Sequence, residues 1–210
     1  MWGRLRMIKK VKKQKTRIKK QVETKAVQES TDRERSITVV NIVVSSSLEQ
    51  DIPLEKMAAT LSNTEYNPEQ FPGLVIRIKE PKTSALIFSS GKIVLTGARS
   101  MEDVEKSIDK IIKSLKKINI DITIKPKVAI QNIVASGTIG MDLNLNTLAI
   151  KLPNTEYEPE QFPGLVYKLK GTHATFLLFT NGKIVCTGTK TEDEVHKAMD
   201  KLIETLKKIK

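Results

Sequence analysis

The sequence predicts an α+β protein built from two repeats of one β-α-β-β-β-β-α unit, which together form an antiparallel sheet with helices on one side. Shifting the chain against itself by 91 positions aligns residues 41–119 with residues 132–210 without a gap, and 38 of the 79 aligned pairs are identical. Each copy contains short β-branched runs separated by turn residues, and each ends in a long amphipathic segment. Because solenoid repeats span only about 20–50 residues, each copy is a complete structural unit.

The first copy begins with a strand, a short helix and further strands. Residues 36–46 are rich in β-branched side chains and predict the first strand. Leu54, Met57 and Leu61 have helical spacing, so a short helix is predicted to begin near Pro53. Turn residues separate the later strands, which are predicted at 64–66, 73–80, 83–90 and 92–98.

A long amphipathic helix is predicted to end each copy. In the first copy it covers residues 100–118, with Ser100 as its N-cap and Asp103 at the spacing of a capping box. The aligned positions of the second copy predict strands at 128–137, 154–158, 164–170, 174–180 and 183–188, and helices at 144–152 and 191–209.

The positive charge of the chain is concentrated at its N-terminus. Residues 1–35 carry 13 Lys and Arg against 4 Asp and Glu, whereas residues 36–210 carry 23 against 20. We therefore expect a basic, disordered N-terminal extension over residues 1–35, a first repeat over 36–124 and a second repeat over 125–210. The alternative for the extension is an arm that adds non-specific affinity for phosphates or for an anionic surface.

The sequence contains no recognisable catalytic, cofactor-binding or metal-binding pattern, so we expect neither an enzyme nor a cofactor. The two histidines, His173 and His196, fall in a predicted turn and on a predicted helix surface. Cys186 is the only cysteine, which excludes an intramolecular disulfide and favours a reducing, intracellular location. It occupies the position of core-facing Leu95, so we expect a buried thiol. No apolar run approaches the ~20 residues of a membrane span, and the start lacks the apolar core of a secretory signal.

One face of the predicted sheet is apolar although no helix is left to cover it. Side chains alternate between the two faces of a strand. Ile93 is expected to face the core, so Val94 is expected on the other face of the sheet. The apolar residues expected on the uncovered face are Val43, Leu86, Phe88, Val94, Val134, Leu177, Phe179 and Val185. An apolar patch of this breadth indicates an interaction site. The alternative is a homodimer that buries sheet against sheet.

Polar and cationic residues border this apolar face at equivalent positions of the two copies. The small hydrogen-bonding residues are Asn41, Thr96, Asn132 and Thr187. The long cations, which we expect to contact phosphates by their position and charge, are Arg77, Lys79, Lys92, Lys168, Lys170 and Lys183. In the minor groove, A·T pairs present only acceptors, and an apolar contact leaves the amino group of guanine unpaired. These residues therefore predict binding to the minor groove of A·T-rich double-stranded DNA.

The motifs together resemble the TATA-box-binding protein family in its archaeal form. The resemblance rests on the gapless repeat, on NIV at both strand starts, on EYxPEQFPGL in both copies, and on LIFSSGKIVLTG and LLFTNGKIVCTG; it covers residues 36–210. It implies a sheet curved into a saddle with the helices on its convex face. It also implies a general transcription initiation factor that binds promoter DNA and recruits transcription factor B and, indirectly, RNA polymerase.

The resemblance further implies a location and an oligomeric state. The protein is expected in the cytoplasm of an archaeal cell, associated with the nucleoid and not with a membrane. It is expected to be a monomer on DNA, and a homodimer is the open alternative when DNA is absent. The near identity of the two copies predicts a weak intrinsic orientation on DNA, with the direction set by the partner.

The resemblance also assigns roles to residues. Two phenylalanines in each half of the family separate a base step, and the matching residues are Phe71, Phe88, Phe162 and Phe179. The fifth phenylalanine, Phe176, replaces Ala85 and is expected in the core. Val43, Leu86, Val94, Val134, Leu177 and Val185 match the apolar floor contacts, and Asn41, Thr96, Asn132 and Thr187 match the central base contacts. Glu158, Glu160 and Gln161 match the surface that transcription factor B contacts.

The chain departs from the family pattern in two features. Gly171-Thr172-His173 replaces the turn that is Glu80-Pro81-Lys82 in the first copy, and the Lys-rich extension is atypical. The alternative interpretation is therefore a TATA-binding-like paralogue that acts as a regulator, or a DNA-binding module with a different partner. Within TEYxPEQFPGLV the one difference between copies is Asn67 against Glu158, which lies on the expected partner surface.

Overall fold

The computed structural model describes residues 35–209, so the N-terminal extension lies outside the described residues except at Arg35. Over these residues the chain forms ten strands and four helices. The first copy contains β1 (Ser36–Ser47), α1 (Leu54–Thr60), β2 (Thr64–Glu65), β3 (Gly73–Ile78), β4 (Thr83–Phe88), β5 (Lys92–Ala98) and α2 (Met101–Lys117). The second copy contains β6 (Val128–Thr138), α3 (Leu145–Lys151), β7 (Thr155–Glu156), β8 (Leu165–Lys168), β9 (Thr175–Leu178), β10 (Lys183–Thr189) and α4 (Glu192–Lys207).

The strands form one antiparallel sheet in the order β2-β3-β4-β5-β1-β6-β10-β9-β8-β7. Each copy contributes one half, and the halves meet where β1 pairs with β6, from Ser36 opposite Thr138 to Ser46 opposite Val128. Outwards from this central pair the two halves have equivalent order, so a pseudo-twofold axis passes between β1 and β6. The predicted fold class, a curved antiparallel sheet made by two repeats, is confirmed.

The differences between predicted and observed elements fall at the ends of strands and helices. Residues 73–80 form a strand only to Ile78, because the chain turns at the residues that follow. The strand predicted at 154–158 consists of Thr155 and Glu156 alone. The chain leaves the sheet there because Phe162 donates its backbone N–H to the carbonyl of Glu158 at 2.9 Å, which closes a turn.

The long helix of each copy begins with a side-chain cap. Ser100 Oγ accepts the backbone N–H of Asp103 at 3.1 Å, as predicted. The Asp103 carboxylate, however, accepts the N–H of Arg99 at 3.1 Å, one residue earlier than an ideal capping box requires. Thr191 caps α4 in the same way by accepting the N–H of Glu194 at 3.1 Å. In each long helix the cap thus satisfies one of the backbone N–H groups that the first turn leaves without a helical partner.

The helices cover one face of the sheet and bury one apolar cluster in each copy. In the first copy Ile42, Ile87 and Leu95 are at most 1% exposed. In the second copy Phe176 is fully buried, as predicted. Cys186 is also fully buried, and burial raises the pKa of its thiol to about 11. The thiol is therefore protonated at neutral pH and a poor nucleophile.

A β-bulge interrupts the central pairing in each copy. The register between β1 and β6 skips one residue of each strand, Val40 in β1 and Gln131 in β6. These positions are equivalent, since they lie 91 residues apart. A bulge leaves its extra residue out of the ladder and increases the local twist, here on both sides of the pseudo-twofold axis.

Candidate nucleic-acid interface

The face of the sheet opposite the helices, called the open face below, carries its side chains in rows that run across the strands. Direct strand pairing fixes one such row in each copy, the apolar row. The two rows contain Ser45, Val94, Leu86, Val75 and Glu65, and Ser136, Val185, Leu177, Val166 and Glu156. The valines and leucines are half-buried, whereas Ile93 and Leu95, on the helix side of the same strand, are at most 1% exposed. Val43 and Val134 are half-buried between fully buried strand neighbours and lie on the same face.

A second row in each copy, the polar row, lies next to the apolar row. Thr96 pairs with Ser84, and Ser84 pairs with Arg77. The equivalent row of the second copy contains Thr187, Thr175 and Lys168. The structure therefore places the predicted threonines and two of the predicted cations in the same rows.

The two central asparagines are held so that their amide nitrogens can donate. Asn41 Oδ1 accepts the backbone N–H of Gly97 at 2.7 Å, and Asn132 Oδ1 accepts that of Gly188 at 2.9 Å. The threonine hydroxyl of each polar row contacts the same oxygen at 3.3 Å. Because a backbone N–H can only donate, it determines which amide atom is the oxygen. The Nδ2 of Asn132 also donates to the Thr187 hydroxyl at 3.1 Å, so each Nδ2 retains at least one N–H for an acceptor.

A pair of phenylalanine rings lies towards each end of the open face. The ring centroids of Phe71 and Phe88 are 5.9 Å apart with an interplanar angle of 61°, and those of Phe162 and Phe179 are 6.0 Å apart at 68°. The outer rings, Phe71 and Phe162, are 44% and 43% exposed. Edge-to-face packing is a favourable aromatic geometry. Each pair is therefore a fixed apolar projection rather than two independent side chains.

A glycine beneath each phenylalanine pair permits this packing. A Cβ atom on Gly73 would lie 2.7 Å from Cε1 of Phe71 and 3.1 Å from Cε1 of Phe88. A Cβ atom on Gly164 would lie 2.6 Å and 3.0 Å from the equivalent carbons of the second pair. Any larger residue at these positions would displace the rings. The glycine of each EYxPEQFPGL motif thus has a steric role.

The six cations predicted to contact phosphates are exposed. Strand alternation places Arg77, Lys92, Lys168 and Lys183 on the side of the open face, whereas Lys79 and Lys170 follow the ends of β3 and β8. Among the described residues, Lys79, Lys92, Lys170 and Lys183 form no ion pair. The outermost residue of each polar row is a cation, and it contacts the carboxylate at the end of the neighbouring apolar row. The open face therefore has four unpaired cations around its edge and two paired ones at its outer strands.

The paired cations are Arg77 and Lys168, and their partners are Glu65 and Glu156. Arg77 Nε and Nη2 lie 3.2 Å and 3.1 Å from the two carboxylate oxygens of Glu65, and Lys168 Nζ lies 3.4 Å from Glu156 Oε1. The hydrogen bond from Arg77 and its charge lower the pKa of Glu65, so this carboxylate stays ionised at neutral pH. Exposed ion pairs add little stability. Their main effect is to reduce the positive charge at both ends of the open face.

Glu158, Glu160 and Gln161 lie together on an exposed loop beyond β7. Gln161 and Phe162 both donate their backbone N–H groups to the Glu158 carbonyl, at 3.0 Å and 2.9 Å. The first-copy loop makes the same two bonds to the Asn67 carbonyl, at 3.1 Å and 3.0 Å. The loops therefore share a backbone shape and differ in one carboxylate.

Sequence reasoning missed several residues of the open face. Val75 and Val166 lie in the apolar rows, between the predicted leucines and the glutamates. Alternation in the predicted strands contained the signal, because the neighbouring Leu74 and Leu165 both face the core. Glu65 and Glu156 could not be placed without the register that brings them opposite these valines.

The described residues show no other chemical site. His173 and His196 are both exposed. No group of three or more His, Cys, Asp or Glu residues in the described part of the chain is arranged to hold a metal ion. None of the helices between residues 35 and 209 has both the length and the apolar composition that crossing a membrane requires.

Comparison with known proteins matches both copies to one family. The sequence model of the family described as "Transcription factor TFIID (or TATA-binding protein, TBP)" matches residues 36–118 and 127–209. A TATA-box-binding protein from Thermococcus celer is 48% identical over 172 residues, covering 82% of this chain and 91% of the relative. One from Methanothermococcus thermolithotrophicus is 50% identical over 176 residues, covering 84% and 97%. The solved structure of Methanococcus jannaschii TBP aligns with a TM-score of 0.78 and 48% identity, covering 82% of this chain and 99% of that chain.

Proposed function

The chain belongs to the TATA-box-binding protein family, whose members are DNA-binding transcription factors and not enzymes, and on this premise we propose that it is a general transcription initiation factor. It binds the minor groove of A·T-rich promoter DNA, bends the duplex by phenylalanine insertion, and recruits transcription factor B. Transcription factor B in turn recruits RNA polymerase. Neither a cofactor nor a chemical step is involved, and the protein acts in the cytoplasm of an archaeal cell, on the nucleoid.

The observation that supports this proposal best is the composition of the open face. The valines and leucines of its apolar rows are half-buried, its central asparagines each retain an N–H, and lysines that form no ion pair among the described residues lie at its edge. The minor groove of A·T pairs presents acceptors on its floor and phosphates on its walls. The amides therefore donate to base acceptors, the valines and leucines contact the floor, and the cations bind phosphates and add a salt-dependent share of the affinity.

The phenylalanine pairs provide the mechanism of bending. Apolar side chains inserted between base steps unstack them, which costs a few kcal/mol per step, and the bent duplex then contacts more of the protein surface. Phe71 with Phe88, and Phe162 with Phe179, are packed as fixed projections at both ends of the open face. Flexible TA steps cost least to deform, so A·T-rich elements with such steps are preferred.

The loop of the second copy is the docking surface for transcription factor B. Glu158, Glu160 and Gln161 are exposed and lie outside the sheet, so a partner can contact them while the open face holds DNA. The equivalent loop of the first copy keeps Glu69 and Gln70. Because the open faces of the two copies are nearly identical, the partner determines most of the orientation of the complex. The protein is a monomer on DNA, and a homodimer that covers the open face is available only without DNA.

The test is binding and bending of TATA and scrambled duplexes, with and without a matched transcription factor B. Energy transfer between dyes at the two duplex ends reports bending. The wild-type chain is expected to bend the TATA duplex selectively and to form a larger complex with the factor. Changing Phe162 and Phe179 to Ala is expected to abolish bending; unchanged energy transfer would remove the central claim.

The same experiment separates the alternative function. A paralogue that acts as a regulator, or a DNA-binding module with another partner, would bend the TATA duplex and fail to bind transcription factor B. The exposed carboxylates of the second loop favour the initiation factor.

A further inference from the structure

The two halves of the open face are almost chemically identical. In the apolar rows every equivalent pair is the same residue, from the central serines to the outer glutamates. The central asparagines, the phenylalanine pairs, and the threonines Thr96 and Thr187 are also the same in both copies. Smaller changes occur where Ser84 is replaced by Thr175, Arg77 by Lys168, and Thr38 by Ala129. A surface of this kind reads a duplex almost equally well in both directions.

The bulge next to the pseudo-twofold axis breaks this symmetry. In β1 the extra residue is Val40, which is 38% exposed and lines a shallow cleft with Asn41 and Thr96 of the open face. In β6 the extra residue is Gln131, also exposed. Its Nε2 donates to Ser45 Oγ at 2.7 Å, which places the amide on the open face beside an apolar row. The equivalent Val40 cannot form such a bond.

Val40 and Gln131 have different chemistry towards a base pair in the minor groove. A G·C pair differs from an A·T pair there by the N2 amino group of guanine, which is a donor. Gln131 has a carbonyl oxygen, Oε1, that can accept from this group while its nitrogen contacts Ser45. Val40 offers no acceptor, so a guanine amino group buried against it would lose its hydrogen bond to water without replacement.

We propose that Gln131 and Val40 together are the polarity determinant of this chain: Gln131 accepts either G·C or A·T at the base pair nearest to it, whereas the pair nearest Val40 must be A·T. This inference rests on the proposed minor-groove function and adds a sequence-reading role within it. A promoter element with one G·C pair off its centre is then bound preferentially in the direction that places guanine next to Gln131. The bias exists before any partner binds.

The experiment measures the direction of binding on a duplex with a single G·C pair placed in turn at each position on one side of the centre of the element. A dye on the Glu69→Cys variant, in the first-copy loop, and a dye at one duplex end give different energy transfer for the two directions. Cys186 is fully buried with a raised pKa and is not expected to react with the dye. The full chain is expected to favour one direction about fivefold at the most sensitive position.

Two variants and one base analogue make the result specific. The swap Val40→Gln with Gln131→Val is expected to reverse the preferred direction, and Val40→Gln alone to remove the preference. Inosine in place of guanine lacks only the minor-groove amino group and is expected to abolish the bias. If the swap leaves the direction unchanged while the all-A·T duplex is still bound and bent, the polarity role is wrong. If the wild-type chain does not bind the all-A·T duplex at all, the proposed function itself is wrong.

Discussion

Single hydroxyl groups in the core distinguish the two copies at the residue scale. In the first copy Thr83 Oγ1 and Ser107 Oγ form a buried hydrogen bond of 2.8 Å between β4 and α2. In the second copy both positions are alanine, Ala174 and Ala198. Conversely, the hydroxyl of Thr189 is buried and has no hydrogen-bond partner among the described residues. A buried polar group without a partner costs about 1–3 kcal/mol, whereas a paired one is mildly stabilising.

The same substitution is therefore expected to have opposite effects at two sites. Thr189→Val keeps the shape and removes the unpaired hydroxyl, so the free energy of unfolding should rise by about 1 kcal/mol. Thr83→Val breaks the hydrogen bond to Ser107 and should lower the free energy of unfolding by about 1 kcal/mol. Urea unfolding of both variants beside the wild type measures the difference. A loss of stability in Thr189→Val would show that this hydroxyl has a partner.

The carboxylates of Glu65 and Glu156 should weaken DNA binding in this chain. They lie on the open face, where each forms an ion pair with a cation that would otherwise be available to phosphates. Arg77 also lowers the pKa of Glu65, which keeps that carboxylate negative at neutral pH. The double variant Glu65→Gln with Glu156→Gln is expected to bind duplex DNA several-fold more tightly, with a steeper dependence on salt. The double variant Glu105→Gln with Glu204→Gln, on the exposed sides of α2 and α4, is the matched control for the change in net charge. Equal gains in both variants would mean that the position of the carboxylates is irrelevant.

At the scale of elements, the geometry of the phenylalanine pairs depends on β3 and β8. Gly73→Ala and Gly164→Ala each place a methyl group within about 3 Å of both rings of a pair. The rings must move away, so the variants are expected to bend a TATA duplex less while thermal unfolding shows that the fold persists. Ser89→Ala, in the exposed turn after Phe88, is the control. Undiminished bending would show that the rings have room to re-pack.

The two outer loops should differ in partner binding although their backbones match. Glu158→Ala with Glu160→Ala is expected to leave the shift of a TATA duplex unchanged and to abolish the supershift by transcription factor B. Asn67→Ala with Glu69→Ala, at the equivalent positions of the first-copy loop, is the matched control and should retain the supershift. If the control loses it equally, the partner does not distinguish the loops, and the difference between Asn67 and Glu158 has no role in orientation.

The elements themselves were largely predictable from the sequence, and the contacts between them were not. Alternation in KIVLTG and SALIFSS predicted which residues lie on the open face, because a half-buried strand has a strict period of two. The bulges at Val40 and Gln131 left no local signal, since they arise from the register of strands 90 or so positions apart. The same is true of the contact between Glu65 and Arg77, which depends on β2 and β3 being adjacent. Ser100 and Asp103 were predicted to form a capping box, and only the partner of the Asp103 carboxylate differed.

At the scale of the whole molecule, the two copies form one sheet around one pseudo-twofold axis, but most of the net positive charge lies outside them. Residues 36–210 carry 23 Lys and Arg against 20 Asp and Glu, so the folded part is nearly balanced. Net charge alone therefore gives the folded part little attraction for a polyanion, and the proposed specificity must come from the arrangement of the open face. Residues 1–35, with 13 Lys and Arg against 4 Asp and Glu, carry most of the excess.

Deleting residues 1–35 tests whether this excess acts on DNA. Each phosphate contact contributes about 0.9 to the slope of log affinity against log salt concentration, so a phosphate-binding arm should make the slope of the full chain steeper than that of the shortened one. Bending should be the same in both, because the phenylalanine pairs and rows all lie within residues 36–210. Replacing the lysines of the extension by glutamine, without deletion, is the control for chain length. Equal slopes in the full chain, the shortened chain and the chain with glutamine in place of the lysines would show that the extension does not bind DNA phosphates. Its charge would then act on a target other than DNA.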